Sequence, residues 1–272
     1  MLRNVTHLNG FTIRARDGEI GTLDQFYFDD ESWAIRYLVV NTGHWLSGRL
    51  VLVSPLALRQ AEWESKRLDV ALTKKQIENS PPIDTHKPVS RQHEAAYLGY
   101  YGYPFYWAGP NYPAAFEVRR EAVAEAEELQ ARAGQEPADT HLRSTEAVTG
   151  YHIQASDGEI GHVRDFIVDD ETWDIRYLEV DTRNLWPGKK VLVSPQWIKR
   201  VNWADSKVYV DMTTENIQNG PEWDDSVPVT PEYEHRLHDY YARSPYWAPV
   251  PGPLHNRAAH AGPSRKEGLP VA

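Results

Sequence analysis

The chain is 272 residues long, enough for two domains and linkers, and its formal net charge of −10 at pH 7 disfavours nucleic acid and anionic membrane surfaces as direct partners. It contains no cysteine, which excludes disulfides, thiolate metal ligands and thiol nucleophiles. It has neither an apolar run of about 20 residues nor a signal-peptide core, so we predict a soluble, cytoplasmic protein without a transmembrane segment.

The sequence repeats itself at an offset of 140 positions. Residues 17–21 recur at 157–161, and both segments read Asp-Gly-Glu-Ile-Gly. The offset holds without a gap from position 10 to position 107 of the first copy. Such a long ungapped match indicates duplication of one domain, and duplicated domains commonly pack through equivalent faces about a pseudo-two-fold axis.

Each copy opens with strand signals. In the first copy, Asp17-Gly18 lies between two alternating segments, and this dipeptide favours a type I′ hairpin turn. The apolar phase of the third segment slips near Tyr37 and Leu38, which predicts a bulge there. Five or six short strands in so short a segment predict a small closed or nearly closed β-barrel. Strands are predicted at 11–15, 20–28, 33–41, 48–54, 58–63 and 67–72.

Residues that both copies share at turns and bends are assigned structural roles. Glycine accepts the backbone conformations that tight turns and barrel bends require. An arginine within an apolar strand usually packs its stem and pairs its head with an acid, here Asp29, Asp169 or Asp24. The shared structural residues are Asp17, Gly18, Gly21 and Arg36 in the first copy, and Asp157, Gly158, Gly161 and Arg176 in the second.

Helices are predicted at the end of each copy. Thr73 and Gln76 have the spacing of a capping box, and Thr230-Pro231 is a strong helix start. The tyrosines that follow fall on one helical stripe. We expect the stripe to cover the barrel or the other repeat, and the alternative is an exposed face for a partner or for dimerisation. The candidates for that face are Tyr97, Tyr100, Tyr101, Trp107, Tyr233, Tyr240, Tyr241 and Trp247.

These signals give the domain boundaries. The first repeat spans residues 1–107, with its barrel at about 5–80, and the second spans 145–247, with its barrel at about 145–220. The linker at 108–144 is rich in Ala, Glu and Arg, with a helix predicted at 116–133 and a loop at 134–144. Residues 248–272, in which Pro, Gly and His dominate, are predicted to form a disordered tail.

The shared motifs resemble a known family. Asp-Gly-Glu-Ile-Gly at 17–21, Ile-Arg-Tyr-Leu at 35–38 and Val-Leu-Val-Ser-Pro at 51–55, with their second copies, are similar to the PRC-barrel domain. That domain occurs in the photosynthetic reaction centre H subunit and in a ribosome maturation factor. The resemblance implies an all-β fold with short helices, here two tandem small PRC-type β-barrels of a bacterial tandem type, each followed by an aromatic-rich helix and joined by a helical linker.

Several side chains are candidates for metal ligands or nucleophiles, and each has a simpler interpretation. Asp29 and Asp30, with Asp169 and Asp170, form acidic loops that lack the ligand spacing of a calcium site, so a solvated turn is favoured. His235 and His238 lie three apart on the predicted helix, but the first copy lacks them, so a polar helix face is favoured. Ser54 and Ser194 lack the surroundings of a nucleophile. We therefore predict no catalytic residue, metal or cofactor.

The resemblance implies macromolecular binding without catalysis, so we predict a protein-interaction or scaffold module that is not an enzyme. One alternative is an accessory role in a membrane redox or photosynthetic assembly, with peripheral association. Another is a ribosome-associated maturation factor that acts through protein contacts, because the acidic balance opposes direct RNA contact. The sequence leaves the identity of the partner and the formation of homo-oligomers open.

Overall fold

The computed structural model describes residues 1–81, 89, 91–108, 141–182 and 189–248. We refer to residues 1–108 as the N-terminal half and to residues 141–248 as the C-terminal half. The helix predicted at 116–133 and the tail predicted beyond 248 lie outside the described residues. The described chain is mainly β with a few short helices.

The strands and helices follow the same order in both halves. The N-terminal half contains β1 Leu2–Asn4, α1 Val5–Leu8, β2 Thr12–Ala15, β3 Gly18–Asp29, β4 Ile35–Asn41, β5 Leu50–Val53, β6 Leu58–Glu62, β7 Arg67–Val70, α2 Lys74–Glu78 and α3 Arg91–Tyr101. The C-terminal half contains β8 Leu142–Ser144, α4 Thr145–Val148, β9 His152–Gln154, β10 Glu159–Asp169, β11 Ile175–Asp181, β12 Lys190–Val193, β13 Ile198–Asn202, β14 Lys207–Val210, α5 Thr214–Asn219 and α6 Pro231–Tyr241.

The strands form two mixed sheets with matching order. One runs β5-β4-β3-β2-β7-β6, and the other runs β12-β11-β10-β9-β14-β13. Neighbours pair antiparallel except β2 with β7 and β9 with β14, which are parallel. Neither sheet closes among the described residues, because its two end strands, β5 and β6 or β12 and β13, do not pair with each other. A short 3-10 turn connects them, at Pro55–Ala57 and Pro195–Trp197.

The predicted hairpin and the bulge predicted near Tyr37 are both present, and only the turn type is wrong. Gly18 pairs with Ala15, so the loop residues of the hairpin are Arg16 and Asp17, and neither has the positive φ of a type I′ turn. The bulge in β4 lies at Arg36, because Tyr27 pairs with Tyr37 while Phe28 pairs with Ile35. Arg36, the arginine that both copies share, is therefore the extra residue and has no partner opposite it in β3.

The predicted helix starts are confirmed. Thr73 and Gln76 form the reciprocal capping box at the start of α2. The Thr230 side chain accepts a hydrogen bond from the backbone N–H of Tyr233, and Pro231 occupies the first turn of α6. Asp17 accepts from the backbone N–H of Lys74, so the hairpin turn also holds the start of α2.

One apolar core runs through both halves. The Phe28 ring lies 5.7 Å from that of Phe166, and the Phe26 ring lies 5.9 Å from that of Trp173. A second buried cluster lies on the other face of the N-terminal sheet, where Tyr97 packs edge-on against Tyr37. The helix α3 therefore covers the sheet face that points away from the shared core.

Candidate functional site at the junction of the halves

Each half supplies one edge strand to the sheet of the other. Strand β1 pairs antiparallel with β10, with Leu2 opposite Asp169, and β8 pairs antiparallel with β3, with Leu142 opposite Asp29. The prediction that residues 134–144 are loop is therefore wrong for 142–144. An unpaired strand edge presents free N–H and C=O groups, so each exchanged strand covers an edge that the other half leaves open.

An arginine on each exchanged strand fixes it in place. Arg3 pairs with Asp170 at 2.6 Å, and Arg143 pairs with Asp30 at 2.8 Å. The Arg3 guanidinium also lies 3.5 Å above the ring of Trp63 in its own half. Arg143 stacks in the same way at 4.3 Å on Trp203. A partly buried ion pair combined with a cation–π contact is stronger than an exposed pair, so these contacts stabilise the junction.

The centre of the junction is a backbone crossing. The N–H of Ile35 donates to the carbonyl of Trp173 at 2.8 Å, and the N–H of Ile175 donates to that of Trp33 at 2.8 Å. Both tryptophans have left-handed φ values, 58° and 61°, which a bulky residue adopts only under constraint. The contacts are reciprocal throughout, as expected of two halves related by a pseudo-two-fold axis.

The acidic loops considered as metal sites are used by the fold. Asp29 accepts from the backbone N–H groups of Glu31 and Ser32. Burial alone would raise the pKa of Asp29, but these hydrogen bonds and the charge of Arg36 outweigh it, and the pKa is lowered. Asp30 and Asp170 hold the cross-half arginines. Within the described ranges, no three His, Cys, Asp or Glu side chains are placed to share a metal ion.

The two histidines of α6 do not converge on a common ligand. His238 is buried, with Nε2 at 2.9 Å from the Tyr177 hydroxyl and Nδ1 at 3.3 Å from the carbonyl oxygen of Arg243. Burial lowers the pKa of His238. His235 is exposed and contacts the Pro231 carbonyl oxygen at 2.7 Å. Although they are only three residues apart on the helix, His238 is buried and His235 is exposed to solvent.

Sequence reasoning missed a buried carboxylate in each half. The Tyr106 hydroxyl donates to Glu94, whose carboxylate also lies 2.7 Å from Nε2 of His141. At the equivalent place Tyr177 and Tyr246 donate to Glu234 at 2.9 and 3.1 Å. Both copies carry glutamate at this position of the tyrosine stripe, and that identity was the available signal. The bond to Tyr177 of β11 fastens α6 to its sheet, and Glu94 joins α3 to Tyr106 and to His141, which directly precedes β8.

The shared arginines pack on the aromatic rings that follow those helices. Arg36 lies 3.7 Å above the ring of Tyr106, and Arg176 lies 4.1 Å above the ring of Tyr246. Arg176 also pairs with Asp169 at 3.4 Å, one of the acids expected for it. Arg36 instead donates to the Ser32 hydroxyl at 3.1 Å. The arginines therefore join the acidic loop to the end of the chain segment that covers the sheet.

The aromatic candidates divide into inner and outer groups. Tyr97 and Tyr233 are buried, so these two are unavailable to a partner in this conformation. Tyr101, Trp107 and Tyr241 are partly buried against the sheets. Tyr100 and Tyr240 are each 42% exposed and Trp247 is 40% exposed. The stripe therefore mainly covers the protein, and only its outer members face solvent.

We expect Tyr97→Phe to lower the free energy of unfolding by about 1–3 kcal/mol, because a buried hydroxyl bridges two edge groups of β5. That hydroxyl donates to the carbonyl of Leu52 and accepts from the N–H of Ser54. Urea denaturation measures the change. The control is Tyr100→Phe, whose exposed hydroxyl donates to Gln76, and its cost should stay below about 0.5 kcal/mol. Equal costs would contradict the assignment.

The junction is not symmetric in its buried polar groups. Glu179 is buried beside Asp165, whereas the equivalent residues of the N-terminal half are Val39 and Gln25. Burial raises the pKa of Glu179; the neighbouring Lys190 opposes the shift, and Asp165 adds to it. The ionised form of Glu179 is therefore less stable in the folded protein than in the unfolded chain.

Glu179→Gln should change how stability depends on pH. Because the folded pKa is raised, ionisation of Glu179 costs stability, and this cost appears as the pH rises through the folded pKa. Glutamine stays neutral at every pH. Between about pH 4 and about pH 7, the free energy of unfolding of the variant should therefore rise relative to that of the wild type by on the order of 1 kcal/mol. Denaturation series at both pH values measure it. If the variant instead became less stable relative to the wild type over this pH range, the ion pair with Lys190 would outweigh the cost of burial.

The described residues form a mainly β protein with two open sheets. Residues 149–217, which begin just after α4 and end within α5, match the family model of the PRC-barrel domain. The match covers a single copy, in the C-terminal half. No curated protein matches the chain. Among the helices of the described residues, none is both long and apolar enough to cross a membrane.

Proposed function

We propose that the chain is a non-catalytic protein-interaction or scaffold module built from two PRC-type domains in tandem. The observation that carries this proposal is the family match at residues 149–217, together with the same strand order, at a constant offset, in the N-terminal half. The resemblance to the PRC-barrel domain implies a module that binds other macromolecules, and a fold by itself assigns no reaction.

The use of the polar side chains supports this function. The aspartates of both acidic loops, the buried glutamates of α3 and α6 and the imidazole of His238 make internal hydrogen bonds or ion pairs. Ser54 and Ser194 each accept a backbone N–H in the following 3-10 turn. Side chains that are held in this way contribute to the rigidity of a scaffold.

The C-terminal half offers an aromatic contact surface, which we define as Trp247 and His235. The Trp247 ring lies 5.2 Å from that of His235 and 5.3 Å from that of the buried His238. An exposed tryptophan held rigidly by its neighbours loses little side-chain entropy on binding, and tryptophan and tyrosine are enriched at protein interfaces. We propose this surface as the contact for a protein partner.

The test places a photo-crosslinking residue at Trp247 or at His235 in the full chain and exposes it in host extract. A matched control carries the same residue at Leu56, which is 62% exposed but lies outside the aromatic contact surface. We expect one protein to be captured from the aromatic contact surface, to be absent at Leu56, and to be competed by wild-type chain but not by Trp247→Ala. Its origin, in a membrane complex or on the ribosome, would decide between the two alternative roles. Identical capture at all three positions would refute the aromatic contact surface.

A further inference from the structure

One side of the junction contains a hydrogen-bonded network, which we call the key and define as Asn4, Thr6, Asp165 and Glu179. The amide of Asn4, on the exchanged strand β1, donates to Asp165 at 3.1 Å and to Glu179 at 2.9 Å. Asn4 is itself buried, as are both carboxylates. One neutral donor therefore bridges two buried acids that belong to the other half.

The helix that follows β1 extends the key. The backbone N–H and the hydroxyl of Thr6 both donate to Asp165. Glu179 has further partners in its own half, with Trp223 Nε1 at 3.3 Å and Lys190 Nζ at 3.4 Å. Arg164 also pairs with Glu179, and the backbone N–H of Phe166 donates to Asp165, both within the C-terminal half. Asn4 supplies the donor that bridges the two acids, and Thr6 adds two donors to Asp165.

The opposite side of the junction has different chemistry. The positions equivalent to Asn4 and Thr6 are Ser144 and Glu146, and Ser144 donates to Gln25. Val39 replaces the glutamate and is buried in the cluster beneath α3. On the first side, Asn4 and Thr6 donate to the carboxylates of Asp165 and Glu179. On the opposite side, Ser144 donates to the neutral amide of Gln25.

These differences matter because the exchanged strands could also join like halves of two chains. If two C-terminal halves paired, Ser144 and Glu146 would face Asp165 and Glu179, which puts a third carboxylate beside two buried ones. If two N-terminal halves paired, the Asn4 amide would face Gln25 and Val39 and would lose only one of its two acceptors, so the penalty falls mainly on pairing between two C-terminal halves. A buried charge or donor without a partner is strongly unfavourable.

We propose that Asn4 and Thr6 with Asp165 and Glu179 form a specificity key that favours pairing between the two unlike halves of the chain and rejects pairing between the C-terminal halves of separate chains. The buried acids cost stability on their own, and the key gives them a use in selecting the partner surface. This inference stands independently of the proposed function.

The test transfers the residues of one side to the other in the full chain. Asn4→Ser with Thr6→Glu gives the N-terminal half the residues of the C-terminal half, and it should raise the unfolding equilibrium constant by roughly 100-fold or more. The matched control, Ser144→Asn with Glu146→Thr, makes the reciprocal exchange opposite Gln25 and Val39. Its effect should be less than about tenfold.

A four-residue variant keeps the test decisive if the first variant fails to fold. Adding Asp165→Gln and Glu179→Gln to Asn4→Ser and Thr6→Glu removes both carboxylates but keeps an acceptor for Trp223 Nε1, and it should restore most of the lost stability and a monomeric mass by light scattering. The two-residue variant, in its folded fraction, should instead associate as the protein concentration rises, because its N-terminal halves now suit one another. Equal losses for the two reciprocal exchanges, or failure of the four-residue variant to recover, would overturn the proposal.

Discussion

Gly161→Ala is expected to lower the free energy of unfolding by at least about 4 kcal/mol, because a Cβ has no space at this position. It would lie 1.9 Å from the carbonyl oxygen of Asp181, and this atom belongs to the backbone of the paired strand. The φ of Gly161 is +153°, which adds strain for any L side chain. Gly21 is under the same constraint, with a Cβ 2.0 Å from the carbonyl oxygen of Asn41.

The control for this prediction lies in the same hairpin. At Gly158 a Cβ would meet only the Thr214 side chain, at 3.4 Å, and the backbone is not in the left-handed region. Gly158→Ala should therefore change stability by less than about 1 kcal/mol. Chemical denaturation of both variants gives the comparison. A Gly161→Ala protein within about 1 kcal/mol of the wild type would show that β10 and β11 do not approach as described.

Leu142→Asp should cost about 3–5 kcal/mol, because it buries a charge without a partner on an exchanged strand. Leu142 is 2% exposed and lies opposite Asp29 of the other half, so like charges would also face each other. Hydrogen exchange measured by mass spectrometry should rise in β3, which belongs to the N-terminal half. Leu2→Asp should in the same way raise exchange in β10 of the C-terminal half.

The control for the strand variants is Leu56→Asp, because Leu56 is exposed and belongs to neither exchanged strand. It should leave exchange in β3 and β10 unchanged. If Leu142→Asp instead raised exchange only around its own strand and α4, the two halves would be folding without each other's edge strands. An increase in hydrogen exchange in the half that does not carry the substitution distinguishes loss of an exchanged strand from ordinary loss of packing.

Sequence reasoning succeeded where the signals are local. Alternation, the capping box at Thr73 and the Thr230-Pro231 start each depend on a few neighbouring residues, and the structure has the corresponding elements. The turn at Asp17 was assigned the wrong type because Gly18 enters the strand as its first residue. Dipeptide statistics do not fix which of two adjacent positions begins the ladder.

The exchanged strands could not be predicted from local patterns. Strands β1 and β8 have three residues each, too short for any periodicity, and their partners lie far along the chain. Even the asymmetry at Asn4 gains meaning only when Asp165 and Glu179 are known to face it. By contrast, the buried Glu94 and Glu234 were visible as an identity between the repeats, but charged residues are normally assigned to the surface.

The most direct test of the account uses the absence of native cysteine. Ala34 and Asp174 face each other across the junction as an antiparallel bridge, and such pairs have Cα separations that a disulfide can span. In the variant Ala34→Cys with Asp174→Cys, mild oxidation should give an intramolecular disulfide in a monomeric chain, identified by the mass of the linked peptides. Free thiols after oxidation, or a disulfide that joins two chains, would contradict a junction formed between the halves of one molecule.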